Sequence, residues 1–236
     1  MSSAVSAIEP NLSRVRERLK RACIRAGRDP GGAHLIAVSK LQPVALIEEA
    51  YRLGVRDFGE NYARELAEKR RALKHLPGLR WHLIGPLQTN KAKAAVENAD
   101  FFHALDSEKL ALELCKRVDR IDRLAGRDRP FSVFLQVNLD GEASKSGVAP
   151  EDAGGLAAFI RAKNELRLEG LMCIPEPRPP ERMRPAFQRL RELANTIGGE
   201  PLALSMGMSE DFEVAVEEGA NWVRVGRAIF GERPSR

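Results

Sequence analysis

A closed (β/α)8 barrel is the fold class predicted by three features of this 236-residue chain. Short apolar or β-branched runs recur eight times, a stretch of helical periodicity follows each polar break, and glycine closes several of those stretches. Strands alternating with helices call for right-handed crossovers and a parallel sheet, and eight such units in ~200 residues are what barrel closure requires. An open doubly wound sheet competes, because alternation alone does not demand closure.

An extra N-terminal helix is expected over 11–26, ended by Gly27, ahead of the first strand. That strand spans 34–39, where Leu35, Ile36, Ala37 and Val38 are apolar. The next helix, 43–53, opens on Pro43, whose fixed φ suits a first turn, and stops at Gly54. Strand 56–59 leads into helix 62–73, strand 81–85 into helix 90–97, and strand 101–105 into helix 107–124. Strand 131–138 precedes helix 150–163, and strand 168–174 precedes helix 180–197; both helices begin at proline, and Gly198-Gly199 ends the second. Strand 202–206, helix 209–218 with Gly219 after it, and strand 222–225 complete the series. The stretch Pro175-Glu176-Pro177-Arg178-Pro179-Pro180 reads as one rigid loop rather than a linker, so residues 1–236 are assigned to a single domain.

Composition narrows the function. With 43% hydrophobic residues a substantial core can form. Lys and Arg total 38 against 33 Asp and Glu, but the charges interleave, as in Arg14, Arg16, Glu17, Arg18, Lys20 and Arg21. That pattern describes solvated helix faces, and aromatics at 6% give no stacking platform, so nucleic acid is not an expected partner. Cys23, Cys115 and Cys173 are odd in number and far apart, which points to reduced thiols and a cytoplasmic location. No signal peptide follows Met1 and no run approaches a membrane span, so no membrane partner is expected either. The histidines lack zinc-helix spacing, and no metal is expected.

In a barrel the chemistry sits on the loops after the strands, which selects the strand-terminal residues. Lys40 closes the run His34-Leu35-Ile36-Ala37-Val38-Ser39-Lys40. An amine whose stem is held among apolar neighbours is dehydrated, which disfavours its ammonium form and lets it condense with an aldehyde. The alternative is a lysine that snorkels to the surface at a strand end. The segment Ser205-Met206-Gly207-Met208-Ser209-Glu210-Asp211 ends a strand and opens a helix, presenting a hydroxyl, a flexible backbone and free amides suited to phosphate. Gly226 and Gly231 follow the last strand, where a second set of amides could close the cradle; equally, Ser209 could be only an N-cap and the glycines only turn residues. Arg224, between Val223 and Val225, needs a partner, either an internal carboxylate or a ligand atom. Trp81 and Trp222 read as core, and His82 as a neutral histidine bonded within the barrel.

Several segments together resemble the pyridoxal phosphate homeostasis protein family. They are Ala37-Val38-Ser39-Lys40, Phe58-Gly59-Glu60-Asn61-Tyr62, Trp81-His82-Leu83-Ile84-Gly85-Pro86-Leu87-Gln88-Thr89-Asn90-Lys91, Ser144-Lys145-Ser146-Gly147, Gly170-Leu171-Met172, Ser205-Met206-Gly207-Met208-Ser209, and Val223-Arg224-Val225-Gly226 through Ile229-Phe230-Gly231. The similarity runs from the first strand to the last and keeps the motif order. It implies a TIM barrel like the N-terminal domain of alanine racemase, with pyridoxal 5'-phosphate held as a Schiff base on Lys40. It also implies a protein that is usually monomeric and cytoplasmic, holds the cofactor for vitamin B6 homeostasis, and has PLP-dependent apoenzymes as candidate recipients. By motif match, Ser205, Met206, Gly207 and Ser209 with Gly226 would surround the phosphate, Arg224 would face the pyridine nitrogen, and Asn61 and His82 would line the site near the ring.

A guanidinium opposite the pyridine nitrogen weakens the ring as an electron sink, although racemases of this fold type manage with a similar arginine. Those racemases add a C-terminal β-domain that supplies a tyrosine as second base. Here the chain ends at Arg236 and its tyrosines are Tyr51 and Tyr62, so robust amino-acid turnover is not expected. The alternatives are a low-activity PLP-dependent racemase and a phosphate-binding barrel enzyme in which Lys40 forms Schiff bases with sugars.

Overall fold

The computed structural model describes residues 7–125, 130–141 and 146–232. Eight parallel strands form one closed barrel in chain order: β1 (His34–Val38), β2 (Asp57–Glu60), β3 (Arg80–Leu83), β4 (Phe101–Leu105), β5 (Phe131–Gln136), β6 (Leu166–Met172), β7 (Ala203–Ser205) and β8 (Trp222–Val225). Closure is made by β1 pairing with β8, in the register His34↔Trp222, Leu35↔Val223, Ile36↔Arg224 and Ala37↔Val225. That pairing removes the open-sheet alternative. Val133, Phe134 and Leu135 are all fully buried, because a barrel strand faces side chains inside and helices outside; this is why the strands read as continuous apolar runs.

The helices are α1 (Ile8–Arg25), α2 (Val44–Arg52), α3 (Ala63–Ala72), α4 (Ala92–Asn98), α5 (Glu108–Ala125), α6 (Ala153–Arg161), α7 (Pro180–Thr196), α8 (Phe212–Glu217) and α9 (Arg227–Phe230). Helix α1 is the expected extra element. It buries Ile8, Leu12, Val15 and Leu19, spaced three and four apart, and packs against α8 and α9. Asn11 Nδ2 donates to Ile229 O at 3.2 Å, and Arg18 pairs with Glu213 at 2.7 Å, so this helix is tied to the elements that flank the last strand.

Most strand and helix ends fall within two residues of the sequence reading, with instructive differences. Helix α8 begins at Phe212 rather than at Ser209, because the Asp211 carboxylate accepts the Met208 N–H at 2.6 Å and holds 208–211 as a turn. The stretch 90–97 divides into a 3-10 turn, Thr89–Lys91, and α4. Helix α9 was not anticipated, since four residues are too few to show a period. Ser144 and Lys145 of the quoted motifs lie outside the described residues. Among the described residues no helix is long and apolar enough to cross a membrane, no cluster of His, Cys, Asp or Glu could hold a metal ion, and the three cysteines are buried thiols.

Candidate functional site

A cleft of about 520 Å³ opens at the carboxyl ends of the strands, the size of a small-molecule site. Lys40, Asn61, Ser209, Arg224 and Gly226 line it together, although they come from loops or strands at opposite ends of the sequence. Val38 and Lys40 alternate with Ser39 along β1 and its continuation, so the first two face the cleft while Ser39 is buried away from it. Gly85 lets the loop after β3 touch the loop after β2: a Cβ there would stand 2.3 Å from Asn61 O. Gly226 packs on β1 in the same way, with Val38 O 3.1 Å from the position of a Cβ.

Behind Lys40 lies a buried ionic cluster. Lys69 Nζ donates to Ser39 O at 2.6 Å, to Glu60 Oε1 at 2.8 Å and to Glu65 Oε1 at 2.7 Å. The Ser39 hydroxyl also donates to Glu60 Oε1, at 2.6 Å, and the Leu41 N–H donates to Glu65 Oε1, at 2.6 Å. Both chain neighbours of Lys40 are therefore held by one set of charges. Leu41 adopts φ 62°, a left-handed conformation that costs a non-glycine residue ~1–2 kcal/mol and persists here because the cluster fixes it. Glu60 Oε2 is buried without a partner, and burial pushes the Glu60 carboxyl up to about 7 despite Lys69.

The floor of the cleft is Arg224, 3% exposed. Its Nη1 donates to Ser205 Oγ at 2.8 Å and its Nη2 to Cys173 O at 2.9 Å. Among the described residues no carboxylate stands within ion-pair distance, so the internal-carboxylate alternative gives way to two neutral acceptors. Burial draws the Arg224 guanidinium below its ordinary value, with the more distant Asp211 acting against this. The Arg224 N–H donates to Gly207 O at 3.0 Å.

The remaining expected site residues lie elsewhere. Ser205 and Met206 are fully buried and do not line the cleft; the Ser205 hydroxyl meets Arg224 and His103. Gly207 has φ 89°, and a Cβ there would come within 2.5 Å of Ala215 Cβ, so its glycine serves the seating of α8. His82 is fully buried inside the barrel, 2.9 Å from Asp57 Oδ1 through Nε2 and 2.9 Å from His103 Nε2 through Nδ1, and burial lowers its pKa. Arg178, read from the sequence only as part of a rigid loop, and Arg227, after the last strand, add positive charge to the cleft wall, and Met208 and Asp211 of the 205–211 segment line it beside Ser209. Arg178 falls in the proline-rich loop after β6, a position whose place in the barrel already pointed to the rim. An amine on one wall, a guanidinium at the floor and further arginines at the rim suit a small anionic carbonyl compound.

Residues 6–234 match the model of the family described as alanine racemase, N-terminal domain. The pyridoxal phosphate homeostasis protein of Pseudomonas aeruginosa is 46% identical over 230 residues, covering 97% of each chain. Its namesake in Aquifex aeolicus is 43% identical over 227 residues, 94% of this chain and 96% of that protein. The solved structure of PipY from Synechococcus elongatus, with PLP bound, matches with a TM-score of 0.77 at 38% identity, covering 92% of this chain and 100% of PipY.

Proposed function

This chain belongs to the alanine racemase N-terminal-domain family and to its pyridoxal phosphate homeostasis proteins, and from that membership we infer that it binds pyridoxal 5'-phosphate on Lys40 and serves vitamin B6 balance in the cell. The observation that carries this reading is the presence of Lys40 and the buried Arg224 in one cleft of fitting size. The cofactor supplies an aldehyde that condenses with an amine, an anionic phosphate, and an aromatic ring with one nitrogen.

Lys40 contributes the amine, presented from a strand end whose two flanking residues are clamped by the Glu60, Glu65 and Lys69 cluster. Arg224, a donor with no acceptor atoms, would face the ring nitrogen and keep it unprotonated. Ser209, Gly226 and their neighbouring amides line the cleft where they would hold the phosphate, and Asn61 lines it where it would meet the ring. Ser205, Met206, Gly207 and His82 act from behind this layer, through Arg224 and the backbone after β7. A guanidinium at the ring nitrogen disfavours carbanion chemistry, so the protein holds the cofactor and passes it to PLP-dependent apoenzymes without robust amino-acid turnover. It does so as a single-domain monomer in the cytoplasm.

Borohydride reduction of the protein loaded with pyridoxal 5'-phosphate, followed by peptide mapping, should place the label on Lys40, and Lys40→Ala should lose it together with the visible absorbance. Labelling elsewhere, with Lys40 untouched, would remove the basis of the reading. Vigorous α-proton exchange across a panel of amino acids, abolished in Lys40→Ala, would overturn the absence of turnover.

A further inference from the structure

Arg224 is the upper end of a hydrogen-bonded series that crosses the barrel interior. Below its contact with Ser205 Oγ, that oxygen is 2.9 Å from His103 Nδ1. His103 Nε2 is 2.9 Å from His82 Nδ1, and His82 Nε2 is 2.9 Å from Asp57 Oδ1. Arg80 Nη2 closes the lower end by donating to Asp57 Oδ2 at 2.6 Å. His82, His103 and Ser205 are fully buried, so no competing water sets their proton positions.

The two ends determine the direction of everything between them. A guanidinium can only donate and an ionised carboxylate can only accept. Ser205 must therefore offer a lone pair to Arg224, which sends its own proton to His103 Nδ1. His103 then carries its proton on Nε2 and gives it to His82 Nδ1, and His82 carries its proton on Nε2 and gives it to Asp57. Each of these bonds points the same way, and each partner is used once.

We propose that Asp57, His82, His103 and Ser205 form a one-directional hydrogen-bond chain that positions Arg224, with both imidazoles neutral and held as the Nε2–H tautomer. Burial lowers both histidines below the ordinary imidazole value and His82 with Arg80 holds Asp57 ionised, in keeping with those protonation states. The consequence for the cleft is an arginine fixed in place by two neutral acceptors, with no carboxylate within ion-pair distance of its positive charge among the described residues. Such a floor favours a ligand atom that accepts and rejects one that carries a proton. The positioning role rests on the reading that Arg224 faces the cofactor ring; the tautomers do not.

Long-range proton–nitrogen NMR of histidine-labelled protein without the vitamer should show both rings as Nε2–H tautomers, and an Nδ1–H tautomer or an imidazolium at either ring overturns the chain. For the vitamer-loaded protein, Ser205→Ala and His103→Phe should each weaken retention of pyridoxal 5'-phosphate by about tenfold, the value of one hydrogen bond to a charged group. The double variant should be no worse than Ser205→Ala, because without the hydroxyl His103 has nothing left to orient. Full additivity, or unchanged retention in both single variants, overturns the positioning role. If the wild-type protein takes no vitamer on Lys40, the proposed function falls while the tautomer measurement still decides the chain.

Discussion

Replacing Glu60 by Gln should change how the stability of the barrel responds to pH, and the burial of that carboxyl sets the size of the change. Burial lifts Glu60 from 4.5 to about 7, against the opposing pull of Lys69 and Ser39. A carboxyl whose folded value exceeds its unfolded one binds its proton more tightly in the folded state. Its protonation adds stability that is fully present below 4.5, declines as pH rises, and is gone above about 7. At ~1.4 kcal/mol per pH unit, that interval corresponds to at most about 3 kcal/mol. The Glu60→Gln amide keeps an oxygen for Ser39 and Lys69 but does not titrate. Its NH2 group takes the place of the unpaired Oε2 and adds a cost of ~1–3 kcal/mol that does not vary with pH. Urea unfolding of both proteins, followed by circular dichroism from about pH 5 to about pH 8, should show the wild type losing about 2–3 kcal/mol relative to the variant as pH rises. Parallel stability profiles would refute the assignment of a raised, buried carboxyl at this position.

Lys69→Met removes the only cation of that cluster and leaves Glu60, Glu65 and Ser39 O facing one another. The loss should be ~3–5 kcal/mol at neutral pH and smaller near pH 5, where Glu60 can take up a proton, as measured by urea midpoints at the two values. Gly207→Ala places a methyl 2.5 Å from Ala215 Cβ at a φ of 89° and should cost ~2–3 kcal/mol of unfolding free energy. Gly226→Val acts at the cleft wall beside Val38, and equilibrium dialysis should show retention of pyridoxal 5'-phosphate weakened by about tenfold or more, with thermal stability lowered by only ~1–2 kcal/mol. A barrel destabilised severely with retention intact would place Gly226 in the packing alone.

The barrel was legible in the chain because strand and helix periods are local. Phe101–Leu105 and Trp222–Val225 begin and end where the apolar runs do. Lys40 was legible for the same reason, since a lysine that closes a buried run on a barrel strand has the cleft rim as its destination. Boundaries moved where a side chain overrode the pattern, as when Asp211 turned 208–211 away from the helix. Ser205 shows the limit of motif reading. Its place at the end of β7 suggested a hydroxyl for phosphate, yet the hydroxyl lies in the interior between Arg224 and His103.

The order of elements, the parallel topology and the lysine at the first strand end follow from residue patterns that span a few turns of chain, and those patterns exist before folding does. The contacts that give the cleft its floor do not. Asp57, His82, His103, Ser205 and Arg224 sit on five different strands, and they meet only because closure at β1 and β8 turns alternate side chains of every strand into one interior. Which inward residue touches which depends on the register of the closed sheet, a property of all eight strands together that no single segment carries.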